Sequence, residues 1–472
     1  MPQVARTVTR MSATTSSLEK ILRAPAVMRL AEIFRAADHD LYLVGGSVRD
    51  ALLGRQQEDF DFATSATPEE IESLLSSAAS ALWTVGREFG TIAAELAGHK
   101  VEVTTYRSDV YSSDSRKPTV VFGDSIVEDL RRRDFTMNAM AISLPEGNLV
   151  DPFGGVKALA AACLDTPRSP EESFTEDPLR MLRACRFVSQ LGAFPSDRVV
   201  QAMKRMQRRL EIVSIERVRD ELCKILVLDD PVKALWLLVD TKLSDQFLPE
   251  LALMRLEQDP IHRHKDVLTH TIAVTGKTSP RLRLRFAALL HDIAKPQTRS
   301  YGPNGVHFYH HDIVGAKMVR HRLRVLKCPK DLISDVTELV ALHLRFHSYG
   351  NGWTDSAVRR YVRDAGHLLV DLNELTRCDC TTRNKRRALL LQHRMDELEE
   401  RIVALREQEE LDALRPALNG NEVMTRLGVA PGPEVGEAMR FLLTLRLEEG
   451  EISREEASQR LDAWWAERSS SP

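Results

Sequence analysis

Along the first third of the chain the apolar positions change period repeatedly, and each change predicts an element. Leu22, Val27, Leu30, Ile33 and Phe34 recur at helical spacing, which predicts an amphipathic helix ahead of residue 37. LYLVGG (41–46) is an apolar run closed by two glycines, the pattern of a buried strand. SVRDALLG (47–54) predicts a helix with Ser47 as its N-cap and Gly54 as its stop. In DFDFA (59–63) acidic and apolar residues alternate, so a strand there presents two chemically different faces. TPEEIESLLSS (67–77) has a Thr67 cap, Pro68 at the first helical position and acids in the first turn. TIAAELAG and KVEVTTYR (91–98 and 100–107) predict a hairpin turning at Gly98, and the polar, serine-rich stretch 108–125 predicts a mobile loop.

After DPFGG (151–155) the strand patterns are expected to stop, and from about residue 172 the periodicity is almost all helical. The fold class is therefore α+β, a small N-terminal α/β head followed by helical regions. Shifts in composition divide the chain into a leader and first helix (1–36), a head (37–165), a helical neck (170–256), a histidine-rich region (257–385) and a charged helical tail (386–472). No repeat of 20–50 residues is visible.

Composition narrows the function classes. With 43% hydrophobic and 28% charged residues over 472 positions, the chain has the material for several packed cores and is not a disordered or fibrous polypeptide. The net charge of −3 argues against a non-specific polycation, although a local basic stripe is enough to bind nucleic acid. No apolar run approaches the ~18 residues of a membrane helix, so no membrane partner is expected and the chain is placed in the cytoplasm. The six cysteines fit reduced thiols. The start of the chain, with Arg6, Arg10 and many Ser and Thr, fits a loose leader.

Three groups of residues carry candidate chemistry. Gly45 and Gly46, between a strand and a helix, let a ligand approach the backbone at a helix N-terminus; alone, such a pair is an ordinary tight turn. Asp59 and Asp61 are i and i+2 on a strand and share a face, so two carboxylates converge and repel each other unless a hard cation such as Mg²⁺ binds between them. A carboxylate pair beside a phosphate cradle is the layout of two-metal phosphoryl or nucleotidyl transfer. Glu102 on a nearby strand is either a third carboxylate of this set or an exposed strand glutamate. Further on, Asp177 and Arg180, spaced i, i+3, are expected side by side on one helix. Histidines and acids recur in HRHKDVLTH (262–270), LLHDIAK (289–295), FYHHDIVGA (308–316), ALHL (341–344) and RCDC (377–380).

LYLVGGSVRDALLGRQQEDFDFAT resembles the signature of the class II nucleotidyltransferases of the polymerase-β superfamily, the tRNA CCA-adding enzymes and bacterial poly(A) polymerases. The resemblance continues in order through RRDFTMNAM (132–140), DPFGG (151–155), EDPLRMLRACRF (176–187) and ERVRDELCKIL (216–226). It implies template-independent addition of CCA to tRNA from CTP and ATP. Asp59, Asp61 and Glu102 would be the catalytic acids and Mg²⁺ the cofactor. Gly45, Gly46, Arg49, Arg132 and Arg133 would hold the phosphates, and Asp134 and Asn138 the ribose. Asp177 and Arg180 would read the base, with Arg183 and Arg186 alongside. Arg donating to a ring nitrogen and Asp accepting from an exocyclic amine fit cytosine and adenine and oppose uracil and guanine. Basic residues from Arg183 to Arg209 would track tRNA phosphates, and the loop with Arg116 and Lys117 would move between C and A addition. His270, His291, Asp292 and Asp379 resemble the HD phosphohydrolase ligand set, which suits Ni²⁺, Mn²⁺ or Fe²⁺ better than Mg²⁺, with His311 and His343 matching a second metal site. The alternatives left open are a poly(A) polymerase, an adder of C or A alone, and an HD phosphohydrolase with an RNA-binding head.

Overall fold

The computed structural model describes residues 18–55, 59–112, 115–123, 125–256, 266–302, 305–380, 385–409 and 415–469. The leader through residue 17, the start of the HRHKDVLTH segment and the side chains of Arg116 and Lys117 lie outside the described residues. The chain divides into two compact units, Met1–Ala252 and Leu253–Pro472.

The first unit is built on strands β1 (Leu41–Val44), β2 (Asp59–Thr64), β3 (Ala81–Trp83), β4 (Thr91–Leu96) and β5 (His99–Thr105). After β6 (Arg107–Ser112) and β7 (Ser115–Phe122), which pair with each other, β8 (Ala141–Ser143) and β9 (Leu149–Val150) complete a seven-stranded sheet. Its order is β3-β4-β5-β2-β1-β8-β9, with β2 and β5 parallel and the other neighbours antiparallel. Phe60 and Phe62 alternate into a core with Val101 and Val103, closed by Val27, Leu30 and Phe34 of helix Pro25–Ala36 and by Ile71 and Leu75 of helix Pro68–Ser76. That burial leaves Asp59 and Asp61 on the opposite face of β2.

Three expectations change. Arg107–Ser112 and Ser115–Phe122 pair with each other as a hairpin, so these segments are not a loop. The helix after β1 starts at Gly46 with Gly45 as N-cap, so Ser47 is inside the first turn, and its Oγ accepts from the Asp61 N–H at 3.0 Å. Strands do not end at DPFGG: Cys163–Leu164 (β10) pairs parallel with Phe194–Pro195 (β11), and Arg299–Gly302 (β12) pairs antiparallel with Gly305–Phe308 (β13). DPFGG itself is structural. Asp151 accepts from the N–H groups of Gly155 and Val156, and a Cβ on Gly155 would come within 2.5 Å of Met140.

The second unit is helical around that small hairpin. Helices Val267–Lys277, Leu282–Leu290, His311–Val325, Lys330–Leu342 and Leu369–Asp379 bury an apolar core and carry the histidine-rich motifs at their ends. Helix Lys385–Glu409 buries Met395, Leu398, Ile402 and Leu405 and is tied by Arg401 to Asp355 and by Glu399 to Arg377.

Candidate active site and metal centre

The strand carboxylates meet their neighbours through register. Asp59 is opposite Lys100 and Asp61 opposite Glu102 across the parallel β2–β5 pair, so Glu102 is on the same face as the two aspartates. Lys100 Nζ donates to Glu102 Oε1 at 2.7 Å, and Glu102 keeps 42% of its side chain exposed. The carboxyl of Asp61 is raised above the usual range, first by loss of solvation among the surrounding protein atoms and then by the charges of Glu102 and Asp59, while Arg133 and Lys100 work against the rise. Crowded acids of this kind fit a hard divalent cation, which would remove the repulsion. Among the described residues, the three acids do not close into a tight ligand cluster; they form an open edge facing solvent.

The glycine turn stands next to them. Gly45 has φ +66° and ψ −127°, a conformation that L side chains rarely adopt, and a Cβ there would be 2.6 Å from Arg133 Nη1. The turn therefore brings backbone and guanidinium together at the helix N-terminus. Replacing Gly45 with Ala is expected to cost about 1–3 kcal/mol in urea unfolding and to displace Arg133, and an unchanged unfolding midpoint would count against strain at this turn.

RRDFTMNAM forms a fixed polar scaffold. Asp129, 1% exposed, accepts from Arg132 at 2.7 Å and from Arg133 at 3.0 Å, holding both guanidinium groups in place. Asp134 accepts from Asn138 Nδ2 and from its neighbour's N–H at 2.9 Å each, and from Arg183 at 2.6 and 2.8 Å. Burial alone would raise its carboxyl; the Arg183 guanidinium and these hydrogen bonds hold it down, at about 2. Arg49 donates to Asn138 Oδ1 at 2.7 Å, and Asp50 pins its other nitrogens. Phe187 packs under Arg49, Arg183 and Arg186, whose guanidinium carbons lie 5.2, 5.5 and 4.4 Å from its ring centre.

Asp177 and Arg180 differ from the sequence picture. Asp177 has an extended conformation between helices Pro170–Glu176 and Leu179–Leu191, because Pro178 disfavours a helical residue before it. The two side chains face separate partners. Asp177 accepts from Arg217 at 2.9 Å, while Arg180 donates to Ser173, to Glu176 and to the carbonyl of Arg132 at 2.6 Å. Arg186 donates to Glu221 at 2.5 Å. Thus ERVRDELCKIL supplies Arg217 and Glu221 as partners for the preceding motif. Asp129, Phe187, Arg217 and Glu221 were not singled out from the sequence. For Asp129, the i+3 and i+4 spacing to Arg132 and Arg133 was a readable signal; the other contacts are long-range.

In the second unit the predicted ligands converge. His270 Nε2 is 2.8 Å from Asp379 Oδ1 and 3.3 Å from His291 Nε2. His291 Nε2 is 3.2 Å from Asp292 Oδ2 and 3.4 Å from Asp379 Oδ1. The ligand atoms of His270, His291 and Asp292 lie within 4.8 Å of one another, as do those of Asp292, His311 and His343, so Asp292 belongs to both groups. The Nδ1 groups of His291, His311 and His343 donate to the carbonyls of Ala288, Phe308 and Val340 at 2.8, 2.8 and 2.7 Å. This arrangement turns each Nε2 into the cluster, where a metal-ligating imidazole needs it. His311 Nε2 is buried without a hydrogen-bond partner. Burial pushes His291 down, but Asp292 and Asp379 more than reverse it, up to about 10; burial and the charge of His291 take His343 down to about 4. The donor set fits a divalent ion. Lys295 Nζ, 2.7 Å from Asp292 Oδ2, is a further neighbour that the motif reading missed although it ends the quoted LLHDIAK segment.

Comparison with known proteins agrees with both units. Residues 41–165 match the Poly A polymerase head domain, 195–254 the probable RNA and SrmB-binding site of polymerase A, and 267–405 the HD domain. The chain is 32% identical to a CCA-adding enzyme of Anoxybacillus flavithermus over 87% of its own length and 89% of that protein. It belongs to the CCA-adding enzyme family. Another family relative, an A-adding tRNA nucleotidyltransferase of Deinococcus radiodurans, is 33% identical over 90% of this chain and 95% of its own. Among solved structures, the Bacillus stearothermophilus CCA-adding enzyme in complex with CTP superposes with a TM-score of 0.69 at 25% identity, covering 94% of this chain and 98% of that one. No described helix is long and apolar enough to cross a membrane.

Proposed function

We propose that this protein adds CCA to tRNA 3′ ends from CTP and ATP, with the reaction at the open face of β2. The observation that carries the reading is the shared face of Asp59 and Asp61, next to the Gly45 turn and Arg133. The A. flavithermus relative and the CTP-bound neighbour support it. Asp59 and Asp61, with Glu102 as a third acid, would hold two Mg²⁺ ions. Bound there, the cations would lower the pKa of the attacking hydroxyl and offset the triphosphate charge. Arg132 and Arg133, fixed by Asp129, would face the phosphates. Asp134 and Asn138, already immobilised by Arg183 and Arg49, would meet the ribose. Asp177 and Arg180 would read the base by exchanging their present partners, Arg217 and Ser173, for its Watson–Crick edge.

Incubating the protein with tRNA lacking its 3′ end and each triphosphate is expected to give C, C and A in order. No C on the trimmed tRNA, with A added only to a tRNA that already ends in CC, would favour the second reading, an A-adder, which the D. radiodurans relative supports. Long A tails without C would reject both.

The histidine cluster would hold a divalent transition metal through His270, His291, Asp292 and Asp379, with His311 and His343 at a second position. The side activity would be phosphoester hydrolysis. Adding Mn²⁺ or Ni²⁺ to metal-free protein is expected to raise the unfolding free energy by about 3 kcal/mol at a hundredfold excess over Kd. His291→Ala should abolish that gain. Equal stabilisation in the variant would count against these ligands.

A further inference from the structure

The β12–β13 hairpin next to the histidine cluster has a surface chemistry that the cluster does not require. Between Asp292 and Asp312 the sequence holds no acidic residue, while Lys295, Arg299, His307, His310 and His311 all fall in that interval. Arg299 and Tyr301 alternate along one face, with the Arg299 guanidinium 5.0 Å from the Tyr301 ring centre; Tyr301 is 71% exposed. On the opposite face His307 stacks with Tyr309 at 5.2 Å and 16° between planes, and Tyr309 is 64% exposed. Two large aromatic rings thus stand open to solvent on one small hairpin. The hairpin is also fixed to the cluster: His311 donates to the Phe308 carbonyl, and Lys295, which donates to Asp292, lies 5.6 Å from the Phe308 ring centre.

We propose that this hairpin is a stacking platform for unpaired nucleotides of a single-stranded RNA, holding its backbone beside the histidine cluster. Rings flanked by cations are how proteins hold unpaired bases without reading their sequence. Charge favours a polyanion, because the segment offers only positive or neutral side chains. Rings on both faces of the ribbon favour a strand of at least two bases over a mononucleotide, which would use one face. The inference rests on the reading of this chain as an RNA-modifying enzyme, and it identifies a second RNA contact within the second unit.

The test uses the full chain and a fluorescent ten-nucleotide single-stranded RNA, followed by anisotropy. Tyr301→Ala/Tyr309→Ala is expected to weaken binding at least about tenfold, since stacking on two bases is lost. Tyr301→Phe/Tyr309→Phe should bind near the wild-type level. Nucleotide incorporation into tRNA should be unchanged in both, because neither residue belongs to that machinery. Photo-crosslinks from a 4-thiouridine RNA should map to peptide 299–309. Unchanged affinity in the alanine pair, crosslinks only outside this peptide, or equal competition by a mononucleotide or by duplex RNA would overturn the proposal. If the wild-type chain binds the decamer through the hairpin yet incorporates no nucleotide, the proposed transferase activity fails while this inference stands.

Discussion

Asp61→Asn is expected to lower nucleotide incorporation about a thousandfold while leaving the protein as stable as before or slightly more so. The amide keeps the shape of the carboxylate but carries no charge for a cation, and a thousandfold corresponds to about 4 kcal/mol of transition-state stabilisation. The stability arm distinguishes this from a folding defect. The Asp61 carboxyl is crowded by Glu102 and Asp59, and lost solvation and those charges raise it above the usual carboxylate range. Removing its charge relieves repulsion instead of breaking a bond. Glu102→Gln should be milder, because Lys100 already occupies one oxygen of that carboxylate. Single-turnover incorporation on trimmed tRNA, with urea unfolding in parallel, reads both arms. A near-wild-type rate for Asp61→Asn would sink the two-carboxylate assignment.

Arg183→Leu is expected to cause the largest loss of stability among the nucleotide-site variants, about 3 kcal/mol. Breaking a buried ion pair typically costs about 3–5 kcal/mol because the remaining charge is stranded. The lower end applies here, since a third of the Arg183 side chain is exposed while Asp134 is buried. The same pair sets a pH dependence. The Asp134 carboxyl is held down at about 2, below its unfolded value. Between those two values the native state binds fewer protons than the unfolded chain. The stabilisation, about 2–3 kcal/mol, is complete above the unfolded value near 4 and disappears as pH falls through about 2. In Arg183→Leu the slope in this acid window should flatten. Urea unfolding between pH 2 and pH 6 measures it, and an unchanged slope would show that the pair does not carry it.

The strands and caps of the head were readable where a local rule decided them. The alternation of DFDFA places both aspartates on one face, and Thr67 caps the helix that opens with Pro68, as its pattern predicts. The histidine cluster was likewise readable, since its residues come from helix ends whose order in the chain is diagnostic. The misses share a physical cause. Whether 107–122 pairs with itself depends on cross-strand contacts, which a count of serines does not show. Ser47 is not the cap because Gly45 could adopt the positive φ and start the helix two residues earlier. Asp177 and Arg180 are three apart in sequence, yet Pro178 interrupts the helix that would have paired them. Phe187 gathers three guanidinium groups that arrive from positions 49, 183 and 186, a convergence that only folding creates.

The tail helix Lys385–Glu409 bears on where this chain can be shortened. Its Asp396 and Glu399 hold Arg377, two residues before Asp379, and its Met395 and Leu398 are buried. Ending the polypeptide at residue 385, where composition alone suggests a division, would uncover that apolar strip. It would also release the anchor next to a ligand of the histidine cluster, so a shortened protein should keep the motif residues yet hold them loosely.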